Sequence, residues 1–347
     1  MACKKKSTFR LIFLFAFVFI VTSKIIRVFL PDPTSLYAKR RSEKLEMINL
    51  MDTTTNVSIS GTSRILSGLD TNTFDEVAQK NGLPLKSINL GIEGGGYIEQ
   101  LLMNQKFIEK QLALSNNKIN KIIIFELNAG TNFDPIQLFT SRAINLYDFK
   151  TMINAINFSP DINVNFQSSI YQKSTALYLY LLNLMNTGML SNYIFLYKKE
   201  INSELLISLM DKNNRGFDPL PLSRKLIPKT LNKSYYEKLL TFKYKYMVDL
   251  LSKKNDLENF NFAFIVTPVL VNKSEECVNF PDKIFISNYI VPIFNFSCPL
   301  KNPELFNTDL WSDTVHLNEK GAKLLSTLLA EKITNWLKEK DMANAFH

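Results

Sequence analysis

Short apolar runs alternate with amphipathic stretches along most of the chain after residue 56. The apolar runs have the length and composition of buried strands, and they predict strands at residues 57–60, 87–90, 121–127, 261–267 and 290–294. Apolar residues at helical spacing predict helices at residues 74–81, 97–115, 235–253 and 318–340. Strands that alternate with helices in this way predict a mostly parallel sheet covered by helices on both faces.

One long stretch interrupts the alternation. Residues 135–234 are rich in apolar and aromatic side chains, have a mainly helical pattern and are too long for a simple connection. We therefore expect a largely helical insertion here. The predicted fold class is α/β, a flavodoxin-like three-layer sandwich over residues 57–347 that carries this insertion.

The first 30 residues have a different character. Several basic residues precede an uncharged apolar run at residues 11–23, and Lys24 and Arg27 follow it. This run is shorter than the roughly 20 residues that a spanning helix needs. Residues 1–30 are thus predicted to be a signal anchor, with the two cations at the membrane interface, or a cleaved signal peptide. The anchor is favoured, and both interpretations remain open.

The positive charge of the chain is concentrated at its start. The formal net charge is +9, and residues 1–44 hold ten Lys and Arg against two acidic residues, so the remainder is nearly neutral. A nucleic-acid partner is therefore not expected. Residues 31–56 begin with two prolines, continue with charges and end in a polar run, which predicts a stalk. We expect a membrane-anchored chain with its body exported, or a secreted one if residues 1–30 are removed.

Two cysteines stand alone in the body of the chain. Cys277 and Cys298 would form a disulfide in an oxidising, exported compartment, and two unpaired thiols are the alternative. No spacing of cysteine and histidine fits a zinc site. Neither a metal nor a cofactor is expected.

His316 is the only histidine besides the C-terminal His347, and Asp313 precedes it by three residues. Imidazole takes and returns a proton near neutral pH, and a neighbouring carboxylate holds the tautomer that this requires. Ser63 follows the first predicted strand, and a serine hydroxyl becomes a nucleophile when such a base lies within hydrogen-bond distance. The pattern predicts a Ser-His-Asp site, with a turn serine and a surface histidine as the alternatives.

Two further turns offer hydrogen-bond donors. Residues 89–96 contain Gly94 and Gly95 ahead of a predicted helix, where unobstructed backbone amides would stabilise an oxyanion. A phosphate loop and a tight turn are the alternatives there. Asn128 and Asn132 follow the third predicted strand, and their side-chain amides would serve the same oxyanion or cap a helix.

The order of these turns resembles the SGNH/GDSL hydrolase superfamily, in the exported branch of D-alanyl-lipoteichoic-acid biosynthesis and alginate O-acetylation proteins. Gly61-Thr62-Ser63-Arg64 resembles its first block, which carries the nucleophile, and Asp313 with His316 resembles its last. The resemblance implies Ser63, His316 and Asp313 as catalytic residues. The residues that it implies for the oxyanion or the substrate are Gly94, Gly95, Asn128, Asn132 and Arg64.

This resemblance implies an exported serine esterase or O-acyltransferase that acts on an acylated cell-envelope glycan or a small ester. An acyl donor held in the membrane is the further partner that it implies. The first alternative is a catalytically inactive SGNH-like protein that binds glycan or a partner during envelope assembly. The second is a flavodoxin-like binding domain that holds a phosphate at residues 91–96.

Overall fold

The structure is a computed structural model. The described residues are 2–29, 36–114, 120–127, 144, 146–157, 166–185, 215–221, 260–270, 277, 280–286 and 289–345. The chain divides into two compact units, one formed by Met1–Arg40 with Asn132–Ser203 and the other by Arg41–Thr131 with Glu204–His347. The second unit contains the sheet and the candidate site.

A six-stranded sheet forms the centre of the second unit. Its strands are β1 (Val57–Ser60), β2 (Ser87–Asn89), β3 (Lys121–Glu126), β4 (Phe260–Val266), β5 (Lys283–Ile286) and β6 (Tyr289–Asn295). They follow the order β2-β1-β3-β4-β6-β5, and all neighbours are parallel except β5 and β6. The mostly parallel sheet is therefore confirmed, and the predicted strand at residues 290–294 proves to have an antiparallel neighbour at the edge.

Helices of the second unit lie on both faces of this sheet. The described helices are α1 (Ala2–Phe29), α2 (Leu36–Leu50), α3 (Ser63–Gly68), α4 (Thr71–Lys80), α5 (Tyr97–Ala113), α6 (Phe149–Asn157), α7 (Phe166–Leu184) and α8 (Glu319–Ala345). Ile59 of β1 belongs to an apolar core with Phe74 of α4 and Leu325 of α8. Its neighbour Ser58 points to the other face, where its hydroxyl donates to Asn104 of α5. Opposite faces of one strand thus contact different helices, which confirms the α/β sandwich.

Residues 36–50, within the stalk predicted for residues 31–56, form helix α2 instead of a solvated spacer. Lys44 and Ile48, one turn apart, are almost fully buried. The Lys44 ammonium donates to the backbone oxygens of Asn89, at 2.8 Å, and of Gly216, at 2.6 Å. The charges at residues 39–44 suggested a solvated spacer, whereas this lysine is an internal hydrogen-bond donor.

Most of the described part of the insertion is helical, as predicted, and residues 215–221 form a turn and an irregular segment. Helices α6 and α7 belong to the first unit and contact each other, for example through the rings of Phe149 and Tyr180 at 5.9 Å. The predicted end of the insertion at residue 234 lies outside the described residues. The helix predicted at residues 235–253 lies outside the described residues.

Helix α1 exposes most of its apolar side chains; Leu11 and Phe15, for instance, are 70% and 74% exposed. None of the helices in the described ranges has both the length and the apolar character that crossing a membrane requires. The signal anchor therefore stays a prediction.

A disulfide joins Cys277 to Cys298, with 4.4 Å between their Cα atoms. It connects the segment before β5 to the segment after β6. The sequence left a disulfide and two free thiols open, and the structure has the disulfide.

Candidate active site

Ser63 lies directly after β1 and is the first residue of α3. Thr62 caps this short helix, because its hydroxyl accepts a hydrogen bond from the Arg64 amide at 3.2 Å. Only glycine fits at Gly61, since a Cβ there would come within 2.6 Å of a carboxylate oxygen of Glu126. The glycine therefore allows the close turn that carries Ser63 to the carboxyl ends of the parallel strands.

His316 lies in a loop that is fixed at both ends. Before it, the buried indole of Trp311 donates to the Leu305 oxygen at 2.9 Å. After it, Asn318 caps α8, accepting hydrogen bonds from the amides of Lys320 and Gly321 at 3.0 and 3.1 Å. This cap holds His316 just ahead of the last helix.

The structure brings Ser63, His316 and Asp313 together. The Ser63 Oγ lies 2.8 Å from His316 Nε2, and His316 Nδ1 lies 2.7 Å from Asp313 Oδ2. Because a carboxylate only accepts, Nδ1 carries the proton that it donates to Asp313. Nε2 is then an acceptor, and the Ser63 hydroxyl donates to it. This arrangement can pass a proton from the serine to the imidazole.

Asp313 also shapes the loop that carries the imidazole. Its Oδ1 accepts hydrogen bonds from the amides of Val315 and His316, at 2.7 and 2.8 Å. Partial burial raises the pKa of Asp313, but the hydrogen bonds from His316 and Val315 and the attraction to His316 outweigh it, so the net shift is downward. The group that orients the imidazole is thus held as a carboxylate.

Of the two glycines predicted for the oxyanion, Gly94 has the more suitable amide. The Gly95 amide donates to the Ile92 oxygen at 2.8 Å, and it is thereby used within the turn. Gly94 is exposed, and within the described ranges its amide donates to no acceptor. This turn contacts the serine turn, because the Ile92 amide donates to the Gly61 oxygen at 3.0 Å.

Arg64 lies against Glu126 rather than towards an open surface. Its Nε is 3.0 Å from Glu126 Oε1, and its side chain is 14% exposed. The sequence identified Arg64 as a substrate-binding candidate but missed Glu126, which ends a strand that is buried at every position. An acidic residue at the carboxyl end of such a strand was the available signal.

Asn89 is a second residue that the sequence did not single out. Its buried side-chain amide donates to the oxygens of Ile65 and Leu69, at 2.7 and 2.9 Å, and its Oδ1 accepts from the Gly91 amide at 2.9 Å. It thereby ties α3 to the glycine turn. Asn128 and Asn132 lie outside the described residues.

No protein-family model matches this chain, and no curated protein or solved structure is significantly similar to it. The chemistry of the site is therefore argued from its geometry.

Proposed function

We propose that this protein is a serine esterase or O-acyltransferase of the SGNH type. The observation that carries the proposal is the hydrogen-bond chain from Ser63 through His316 to Asp313, with links of 2.8 and 2.7 Å. A contact made only for stability needs one of these bonds, whereas proton transfer needs both, on opposite nitrogens of one ring. Ser63 and His316 are 253 positions apart, so the fold as a whole creates the pair.

The proposed reaction has two steps. In the first, Ser63 Oγ attacks the ester carbonyl and His316 Nε2 accepts its proton. The bond to the leaving alcohol then breaks, and the alcohol takes that proton from His316. In the second step, water or an acceptor hydroxyl gives a proton to His316 and attacks the acyl-serine. Release of the acyl product returns the proton to Ser63. Water makes the protein an esterase, and a glycan hydroxyl makes it a transferase.

The tetrahedral intermediates of both steps carry an oxyanion, which backbone amides stabilise well. The Ser63 amide supports this role, because within the described ranges it donates to no protein acceptor. The Gly94 amide is the second donor that we assign. Asn128 and Asn132 remain predicted donors on the basis of the resemblance.

The substrate class that we propose is an acylated cell-envelope glycan, with small esters as surrogate substrates. It rests on the resemblance to exported SGNH proteins. The disulfide between Cys277 and Cys298 supports export, because such bonds persist in oxidising compartments. The exposed apolar residues of α1 support attachment to a membrane, where an acyl donor for the transferase would be held.

The experiment is hydrolysis of a short-chain aryl ester by the full chain. Ser63→Ala and His316→Ala should each lower kcat by at least about 10⁴-fold, since the members of such a relay act as a unit. Ser174→Ala is the matched control, because among the described residues this exposed hydroxyl bonds only within its own helix. Full activity in either site variant would contradict the proposal. An inactive wild-type protein that binds envelope glycan would support the alternative of an inactive binding protein.

A further inference from the structure

Glu126 is a fully buried acidic residue beside the serine turn, the residues 61–63 that follow β1. It ends β3, and the register that pairs Ser60 with Phe125 brings it next to Gly61. A buried carboxylate is costly unless hydrogen bonds and a cation replace its water. Its partners therefore indicate what holds it there.

Both carboxylate oxygens of Glu126 have partners. Oε2 accepts the Thr62 amide at 2.6 Å. Oε1 accepts the Thr267 hydroxyl at 2.7 Å and pairs with Arg64 Nε at 3.0 Å. The backbone of Glu126 is fixed as well. The Gln100 side chain accepts a hydrogen bond from the Glu126 backbone amide at 3.1 Å and donates one to the Glu126 backbone oxygen at 3.2 Å.

These contacts hold the two residues that flank Ser63 in the sequence. One carboxylate holds the residue before the serine through its amide and the residue after it through its guanidinium. The direction of the Ser63 side chain is thereby fixed at the point where its hydroxyl meets His316 at 2.8 Å. A displacement of about 1 Å between reacting groups can cost on the order of 10²-fold in rate.

We propose that Glu126 is a positioning residue that sets Ser63 against His316, with Arg64 as its counter-ion. This inference rests on the proposed function. Glu126 touches no substrate and exchanges no proton in the reaction. Its role is to keep the serine turn in the reactive geometry, which assigns Arg64 to the same role in place of the substrate contact predicted from the sequence.

The test is the rate at which a small fluorophosphonate labels Ser63 in the full chain. Glu126→Gln keeps the size of the side chain but loses the ion pair with Arg64 and half of its acceptor capacity. We expect this rate to fall by about 10²-fold. In ester hydrolysis we expect kcat, expressed per site that the fluorophosphonate titrates, to fall while KM stays unchanged. General destabilisation would lower the number of titrated sites and leave this kcat unchanged.

Ser58→Ala is the matched control. It removes the buried hydrogen bond of 2.6 Å from Ser58 to Asn104 of α5 without touching the serine turn. Its labelling rate should stay within about twofold of wild type even if its melting temperature falls, since separate sites act independently.

Three results would overturn the inference, and they separate it from the proposed function. If the probe labels wild type and Glu126→Gln at the same rate, the positioning role is refuted and the proposed function is not affected. An unlabelled wild type removes both proposals. If Glu126→Gln does not fold, Arg64→Gln decides: a loss of about tenfold or more in labelling supports the role, and an unchanged rate refutes it.

Discussion

Asp313 is half exposed, yet both of its oxygens accept hydrogen bonds. One oxygen orients the imidazole, and the other fixes the backbone on which the imidazole is carried. A substitution that keeps the shape of the side chain and removes its charge distinguishes these two roles. Asparagine at this position would donate through its Nδ2, so the ring would have to turn or change tautomer.

For Asp313→Asn we therefore predict a loss of about 10³- to 10⁴-fold in kcat, since the imidazole loses the tautomer that accepts the serine proton. KM should change little, because Asp313 faces His316 and not the substrate. Steady-state hydrolysis of an aryl ester measures both constants. A kcat within about tenfold of wild type would mean that Asp313 is not the orienting group.

The same residue predicts a dependence of stability on pH. The pKa of Asp313 is lower in the native chain than its ordinary value of 3.8, so ionised Asp313 stabilises the fold. This contribution is present above that ordinary value and is lost as the pH falls through the lowered native pKa. The melting temperature of wild type should exceed that of Asp313→Asn at pH 5 to 6, and the gap should close at lower pH. A gap that widens on acidification would contradict this sign.

Single residues also show how far the sequence predicts the site. Asp313 and His316 were recognisable as a pair because they lie three positions apart, and Ser63 because it follows a strand. Their contact was a hypothesis, since no local pattern encodes a meeting between positions 253 apart. The role of Glu126 was hidden because its partners come from three separate segments.

At the scale of elements, the edge strand β2 is hydrogen-bonded on its outer side by α2 and by residues 215–218. The Asn89 amide donates to the Arg215 oxygen at 3.0 Å, and Lys44 bridges the oxygens of Asn89 and Gly216. The Asp218 amide donates to the oxygen of Leu66, in the last turn of α3, at 3.0 Å. The support of the serine turn thus includes residues far from it in the chain.

We predict that Lys44→Met lowers the free energy of unfolding by about 3 kcal/mol, because it keeps the length of the side chain but leaves two buried carbonyl oxygens without this donor. Urea denaturation followed by tryptophan fluorescence measures it, since Trp311 and Trp336 both lie in the unit that contains Lys44. Asn49→Ala, on an exposed position of α2, is the control. A change below about 0.5 kcal/mol for Lys44→Met would fit a stalk instead.

The elements that the sequence predicted well are those with buried, uniform patterns. Strands β3 and β4 were placed within one residue because every position in them is buried. Helix α3 was missed because its six residues are too few to show a helical period. Strand β5 was missed because it is an edge strand whose apolar run is only three residues long and is buried at only one position.

At the scale of the whole molecule, two features bear on where the protein works. The chain contains three cysteines, and two of them form the disulfide. The third, Cys3, belongs to the basic N-terminal segment that is predicted to stay on the inner side of a membrane. If the body is exported and the N-terminal segment is an anchor, Cys3 should be a free thiol, and Cys277 and Cys298 should be in the disulfide.

Protein isolated from its native cells, unfolded and alkylated without reductant, should carry the modification on Cys3 alone. The full-length chain should remain in the membrane fraction after alkaline extraction, as an integral anchor requires. Intact mass then distinguishes the anchor from a cleaved signal peptide, which would remove Cys3. Alkylation of Cys277 and Cys298 would contradict export.

The most direct test of the central claim is the site at which a fluorophosphonate modifies the folded full chain, determined by peptide mass spectrometry. The account predicts a single modified serine, Ser63, and no modification of that residue in His316→Ala. A folded wild-type protein that stays unmodified at Ser63, or one in which His316→Ala leaves the labelling intact, would contradict it.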